Sequence, residues 1–461
     1  MPLRIIFCRR GIASDFEMRM TEGMKPGGWK WGMNEMSVSP AEWRRFQEWD
    51  RRVVEAGQTI KVLTTLAWPE SVYEEFRRHW QRGQPRLPAV EPAPQDYSGQ
   101  ERVLETVLRE CDRAHPIGEY LYLTANSYLL AAEMLAAAGT PRFTELSIAL
   151  YGKPDDSIAS GALTHLDAAT YFIDATREFM DAATVAPPRE DLSAETVQAR
   201  LQDTLAAFFS DDVIRVVLDP AMASKAAAGA QRIRIRGATF FSALDVAQLL
   251  WHEGYVHMLT ALNGRKQPRL ASMSLGAPRT TWTQEGLATF SELVSGSIDL
   301  NRMRRLALRT RAVQMGLEGA DFLDIYRFFL EQGQDEHESF QSTARIFRGG
   351  DPRGGGIIFT KDVVYLQGLI RTHTFLRKAV QSNKFQYAEH LFAGRLTLGD
   401  VVALEPFFEN GDIAPPHYEP PWLQSRSTLA AYLSYSVFAN RINLGAVSLD
   451  DFLSMENRAL R

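Results

Sequence analysis

Apolar positions along this chain recur with two different periods, and the change from one to the other divides it. Helical spacing runs through Pro69 to Arg82, Gln100 to Cys111 and Leu121 to Ala138, where Gly139-Thr140-Pro141 reads as a stop. Asp212 to Leu218 and Gln231 to Arg236 instead read as strands. The second, Gln231-Arg232-Ile233-Arg234-Ile235-Arg236, alternates arginine and isoleucine, giving one apolar and one cationic face. Helical spacing then returns over Asn301 to Leu317, Ala320 to Gly333, Glu336 to Phe347, Thr360 to Gln381 and Lys384 to Ala393. The pattern predicts an α+β fold, predominantly helical, with a small sheet ahead of its central helix.

That central helix carries the chemistry. Ser242-Ala243-Leu244-Asp245 reads as an N-cap with an acid at the third position, and Leu244, Val246, Leu249, Leu250 and Val256 continue as a mostly buried helix. Within it lies His252-Glu253-Gly254-Tyr255-Val256-His257. Two histidines, an adjacent glutamate and a later carboxylate are what a hydrolytic zinc site needs: three ligands, an open position and a base. The alternative is a pair of hydrogen-bonded core histidines. Residues five apart on a regular helix diverge by about 140°, so His252 and His257 share a metal only where the helix widens into a π-turn; Gly254, with no Cβ, eases that distortion. The helix opened by Thr281-Trp282-Thr283-Gln284-Glu285 and running to about Val294 offers Glu285 as third ligand. Glu292, seven residues on and near the same face, is an outer partner or a competing ligand.

Composition narrows the classes. With 461 residues, 45% hydrophobic and 23% charged, the chain suits a soluble globular protein of two or three domains. A net charge of -5 speaks against a nucleic-acid partner. The apolar run after Met1 is too short for a signal peptide and no segment has the length of a membrane span, so a cytoplasmic location is expected, with no membrane partner. Two cysteines, Cys8 and Cys111, make neither a disulfide scaffold nor a thiolate site. Six of nine tryptophans (Trp29, Trp31, Trp43, Trp49, Trp68, Trp80) fall in residues 1–82, read as an N-terminal extension whose tryptophans pack rather than bind. A proline-rich connector, 83–96, separates it from a catalytic domain, 97–461. Arg348 to Gly356 holds five glycines in nine residues and is a mobile loop or a backbone cradle, without the ending of a phosphate loop.

Several segments together resemble the QEGLA-motif metalloprotein family, whose animal members include the tubulin tyrosine carboxypeptidases called MATCAP. They are Leu150-Tyr151-Gly152, Ser224 to Gly229, His252 to His257, Thr260-Ala261-Leu262-Asn263-Gly264, Thr283-Gln284-Glu285-Gly286-Leu287-Ala288, Ile346-Phe347-Arg348-Gly349 and Phe359 to Tyr365, in consistent order over roughly residues 97–400. The first 90 residues carry no such likeness. The resemblance implies a zincin-like metallopeptidase core, Zn2+ on His252, His257 and Glu285, Glu253 as catalytic base, and a peptide or protein substrate trimmed at its C-terminus. A precursor-maturing endopeptidase and a regulatory binding module are the competing readings, and the intact Glu253 argues against the latter. For the remaining roles, Tyr365 is the candidate proton donor to a developing oxyanion. Arg348, with Arg353 and Lys361 behind it, is the candidate carboxylate clamp, the alternative for Arg348 being an internal pair with Asp362. Arg234, on the cationic strand face, is a candidate peptide contact or a solvated side chain. The strand's place before the motif helix resembles the substrate-lining edge strand of zincin proteases.

Overall fold

Several helices of this protein begin where a side chain satisfies the first free backbone N–H groups, and these caps fix their starts. The computed structural model describes residues 38–158, 161–181, 189–220, 222, 225–229, 231–237 and 239–448. Cys8, Trp29 and Trp31 lie outside them. In chain order the main helices are α1 (Pro40–Gly57), α2 (Glu70–Gln81), α3 (Ser98–Glu110), α4 (Pro116–Ala136), α5 (Pro141–Tyr151), α6 (His165–Asp181), α7 (Ala194–Phe208) and α8 (Ala243–Leu249). A π-helix, Leu250–Met258, runs on directly from α8 and into α9 (Leu259–Arg265). Then follow α10 (Thr281–Val294), α11 (Leu300–Leu317), α12 (Phe322–Glu331), α13 (Glu336–Phe347), α14 (Val364–Gln381) and α15 (Arg426–Ala439), with shorter turns between. Ser242 and Asp321 build reciprocal capping boxes, and Ser193, Asp299 and Asp335 cap α7, α11 and α13. Among the described residues the fold is predominantly helical with two small sheets.

One strand expectation is corrected. Arg232–Arg236 (β4) is not an edge strand: it lies between Arg215–Asp219 (β2), to which it is parallel, and Ala226–Ala228 (β3), to which it is antiparallel. The edges are β2 and β3, the latter three alanines too short and too small to announce a strand. The alternation itself does what its period predicts, since Ile233 and Ile235 are buried and Arg232 and Arg234 are exposed. Leu192–Ser193 (β1) and Phe240–Phe241 (β5) form the second sheet. The helix expected over Lys384 to Ala393 shortens to Gln386–His390; beyond it the chain tightens into i to i+3 turns, the Phe392 and Ala393 N–H groups donating to the Glu389 and His390 carbonyls, while their own carbonyls accept from the Asn263 and Gln267 side chains.

The described residues from Ala41 onward cluster as one compact unit. Trp68 stacks on Phe322, and Phe76 and Trp80 meet Tyr326. Trp43 and Trp49 are buried on α1. The glycine-rich turn is packed rather than open: a Cβ on Gly349 (φ 76°) would lie 2.6 Å from Phe143, and the Pro352 carbonyl accepts from the Phe322 N–H. Among the described residues no helix is long and apolar enough to cross a membrane.

At the centre, α10 crosses α14 backbone to backbone. A Cβ on Gly286 would stand 2.3 Å from the Gly368 carbonyl oxygen, and one on Gly368 would stand 2.4 Å from the Trp282 carbonyl oxygen. Only glycine permits that approach, which sets the distance between the side chains flanking it on the two helices. Gly368→Ala is expected to lower stability by ~1–3 kcal/mol, as overpacking does, by pushing α10 off α14. Urea denaturation of the purified variant checks this; unchanged stability would refute it.

Candidate metal centre

The π-helix makes the site possible. With the turn widened over Leu250–Met258, the His252 and His257 rings come to 4.8 Å between centroids at 82°. Gly254 has an ordinary negative-φ backbone; its use is contact, since a Cβ there would come 2.7 Å from Leu205 on α7. On α10, Glu285 turns Oε2 toward both rings, 3.4 Å from His252 Nε2 and 3.6 Å from His257 Nε2. These three ligand atoms lie within 4.8 Å of one another, the one such His, Cys, Asp or Glu cluster among the described residues. Gln284 helps hold the two helices in register, its side-chain oxygen accepting from Thr260 Oγ1 at 2.8 Å.

Each of the three candidate ligands is held from behind. Glu292 accepts from His252 Nδ1 at 2.7 Å and is gripped in turn by Arg302, at 3.1 Å from Nε and 3.0 Å from Nη2. It is therefore an outer partner, and its hold on Nδ1 leaves Nε2 as the nitrogen that faces Glu285. Burial alone would pull the His252 ring down, but the Glu285 and Glu292 carboxylates outweigh it and raise it to about 10. Burial would raise Glu292; Arg302 and His252 bring it instead down to about 2. Glu285 is held well below its ordinary range, with Lys361 and the two histidines overriding its burial. Two imidazole nitrogens and one carboxylate oxygen, in surroundings that draw a cation onto His252, are a donor set suited to zinc. His257 is anchored through its carbonyl, which accepts from Arg395 Nη2 at 3.1 Å.

Glu253 projects to the other side, where Oε2 accepts from the Ala228 N–H of β3 at 2.7 Å. The strand is pinned there because Lys225 reaches both oxygens of Asp245, in the capping box of α8, at 3.0 Å. Sequence reading missed both contacts; the run Ser224 to Gly229 was the available signal.

Opposite, Lys361 is 4% exposed and donates to Glu285 Oε1 at 2.9 Å and to Tyr365 Oη at 3.1 Å. Arg345 donates to Tyr365 Oη at 3.2 Å and forks onto Asp362 at 2.6 and 2.7 Å. Burial and Glu285 would raise the Tyr365 phenol, but Lys361 and Arg345 prevail and lower it. Arg309 approaches Asp362 at 3.9 Å. Arg345 and Arg309 escaped the sequence reading, one a helical turn before Arg348 and the other on α11. Arg345, not Arg348, takes Asp362. Arg348 lies over the Phe359 ring, 5.3 Å from its centroid, with Nε and Nη2 buried and without a hydrogen-bond partner; Arg309 Nε also lacks a hydrogen bond and only faces Asp362 at 3.9 Å. Burial and the neighbouring Arg345 bring both guanidinium groups down to about 10, so both stay cationic at neutral pH.

Two candidates are not brought in. Arg353 is 81% exposed and pairs with Asp351 two residues away, because the glycine turn points it outward. Arg234 stands on the exposed face of β4 and pairs with Asp219 on β2 at 3.2 Å.

Among curated proteins none matches the chain significantly. The family model for the microtubule-associated tyrosine carboxypeptidase, MATCAP, matches residues 74–441. That span holds the widened helix, the helix of Glu285 and the cationic wall from Arg302 to Tyr365, together with most of the remaining chain, and so this protein belongs to the microtubule-associated tyrosine carboxypeptidase family.

Proposed function

We propose that this protein is a zinc-dependent, zincin-like metallopeptidase that removes residues from the C-terminus of a peptide or protein. The observation that carries the reading is the placement of His252, His257 and Glu285 within one ligand sphere, with Glu253 on one flank and unpartnered buried guanidinium donors beyond the other. His252, His257 and Glu285 would hold the ion, whose chemistry is Lewis-acid polarisation of a carbonyl and acidification of a water to a pKa of about 7.

The chain's own residues supply the rest. Glu253, steadied by the Ala228 N–H, accepts the proton of the attacking water. As the C–N bond breaks, Glu253 passes that proton to the leaving amine. The two polar contacts of Tyr365 Oη are with cationic donors, Lys361 and Arg345. Its lone pairs are thus engaged and its own O–H is free to donate to the carbonyl oxygen as negative charge develops there.

The exopeptidase part rests on Arg348 and Arg309. Buried donors without acceptors are costly, by about 1–3 kcal/mol each or more for charged groups, and a substrate's terminal carboxylate would relieve that. Arg345 is spent on Asp362 and serves to hold Tyr365. Lys361 is likewise engaged inside the site, whereas Arg353 and Arg234, turned outward on their own acids, would contribute little to holding a terminal carboxylate.

Zinc content should be about one ion per chain and should fall in His252→Ala, His257→Ala and Glu285→Ala, while Glu292→Ala should still bind but about 10–100-fold more weakly. Elemental analysis and chelator competition measure this; loss of zinc in Glu292→Ala with full retention in Glu285→Ala would reverse the two assignments. Glu253→Gln should keep fold and metal yet lose at least about 10²-fold in turnover, since an amide accepts no proton; wild-type turnover of a peptide library followed by mass spectrometry would remove the base. Amidating a substrate's C-terminus should lower kcat/KM about tenfold or more, with Arg348→Ala matching that loss on the free acid and barely altering the amide. Equal cleavage of both peptides, or cuts within the chain, would favour an endopeptidase.

A further inference from the structure

We infer that Lys361 is the resident counter-ion of the metal centre: it compensates the Glu285 carboxylate while no metal is bound, keeps the site assembled in that state, and thereby weakens the hold on zinc. The inference rests on the reading of His252, His257 and Glu285 as a zinc site. Glu285 divides its two oxygens, Oε1 taking the Lys361 ammonium at 2.9 Å and Oε2 facing the two histidine nitrogens. The ammonium has three donors, and two are already committed inside the protein, to Glu285 and Tyr365. At 4% exposure it is not presented to an incoming substrate.

Its backbone is fixed on both sides. The Thr360 N–H donates to Ser147 Oγ at 2.9 Å and the Ile358 N–H to Thr144 Oγ1 at 2.8 Å, tying the preceding residues to α5. On the other side Asp362 is held by the Arg345 fork. A lysine so anchored meets Glu285 at a set place, which is the role of a positioning residue.

Three effects decide what its removal does to zinc affinity. Without the ammonium, Glu285 Oε1 loses its partner and the buried carboxylate keeps only the two histidine nitrogens beside Oε2, which raises the free energy of the metal-free state. A cation a few ångströms from the ligand sphere also repels an incoming dication, and that repulsion disappears. Against these stands only the freedom one carboxylate side chain regains, a small entropic loss on binding. The first two act together and prevail, so the variant should be less stable without metal and bind metal more tightly.

The test compares the full chain, Lys361→Met and the double variant Lys361→Met/Glu285→Gln, each stripped of metal and titrated with Zn2+ alone. Lys361→Met should melt at least about 3 °C lower than wild type without metal. Its Zn2+ affinity, read by competition with a chromophoric chelator, should rise about tenfold or more, and the zinc-induced gain in melting temperature should exceed that of wild type. The double variant, with both charges gone, should regain at least about half of the lost melting temperature, which a purely structural role for Lys361 would not produce. If metal-free Lys361→Met does not fold, a cooperative melt of the double variant supports the pairing and its failure to fold overturns it. Unchanged or weakened zinc affinity in folded Lys361→Met overturns the inference alone. Wild-type zinc affinity in Glu285→Ala would instead overturn the metal-centre reading beneath it.

Discussion

Everything at the centre of this protein depends on one departure from regular helix geometry. Five residues separate His252 from His257, and a straight α-helix would send their rings about 140° apart. The nine-residue π-helix removes that divergence, at the expense of weaker backbone hydrogen bonding in the middle of the fold. The surroundings are arranged to hold the distorted turn: a capping box fixes the start of α8, Leu205 closes against Gly254, and Thr260 ties the following turn to Gln284 on α10. A widening of this kind inside a long helix is a mark of function rather than of packing.

The widened turn brings acids and bases together away from water, and the charge arrangement follows from that. Glu292 is matched by Arg302, Glu285 by Lys361 and Asp362 by Arg345. Each pair returns in Coulomb attraction much of what its members lose in hydration. The guanidinium groups left over, Arg309 and Arg348, sit beside Arg345 and are depressed by it and by burial. Polar groups held in excess of their partners are disfavoured in a protein interior unless something arrives to match them, which is why the proposed clamp lies with these two rather than with the better-paired Arg345.

Much of the local structure was legible in the sequence because it is written over short distances. The Ser242–Asp245 cap, the widened turn between the histidines and the start of α10 near Thr281 all follow from spacing along one helix, whereas spacing left Glu292 two roles, and its place behind His252 comes from a contact between helices. What was not legible comes from contacts across the fold. Ala228 meets Glu253 through a strand of three alanines, which no alternation announces. Arg309 and Arg345 reach Asp362 from α11 and α13, and the arginines around them look alike in sequence. Arg353 misled for the converse reason: it is close to Arg348 along the chain, yet the positive-φ glycines after Arg348 turn the chain and leave its side chain in solvent.

The crossing of α10 and α14 joins these two levels. Gly286 follows the proposed ligand Glu285, and Gly368 comes one turn after Tyr365, so the place where the backbones touch lies next to the side chains whose separation matters. Two helices locked by peptide-to-peptide contact cannot slide without one carbonyl entering the other's van der Waals envelope. A site shared between them is held to a few tenths of an ångström by sterics, before any metal or substrate adds its own attraction. Catalytic geometry tolerates errors of about that size and little more. The two glycines therefore let the proposed metal ligand on one helix and the proposed proton donor on the other be set against each other by the backbone itself, with Lys361 reaching both.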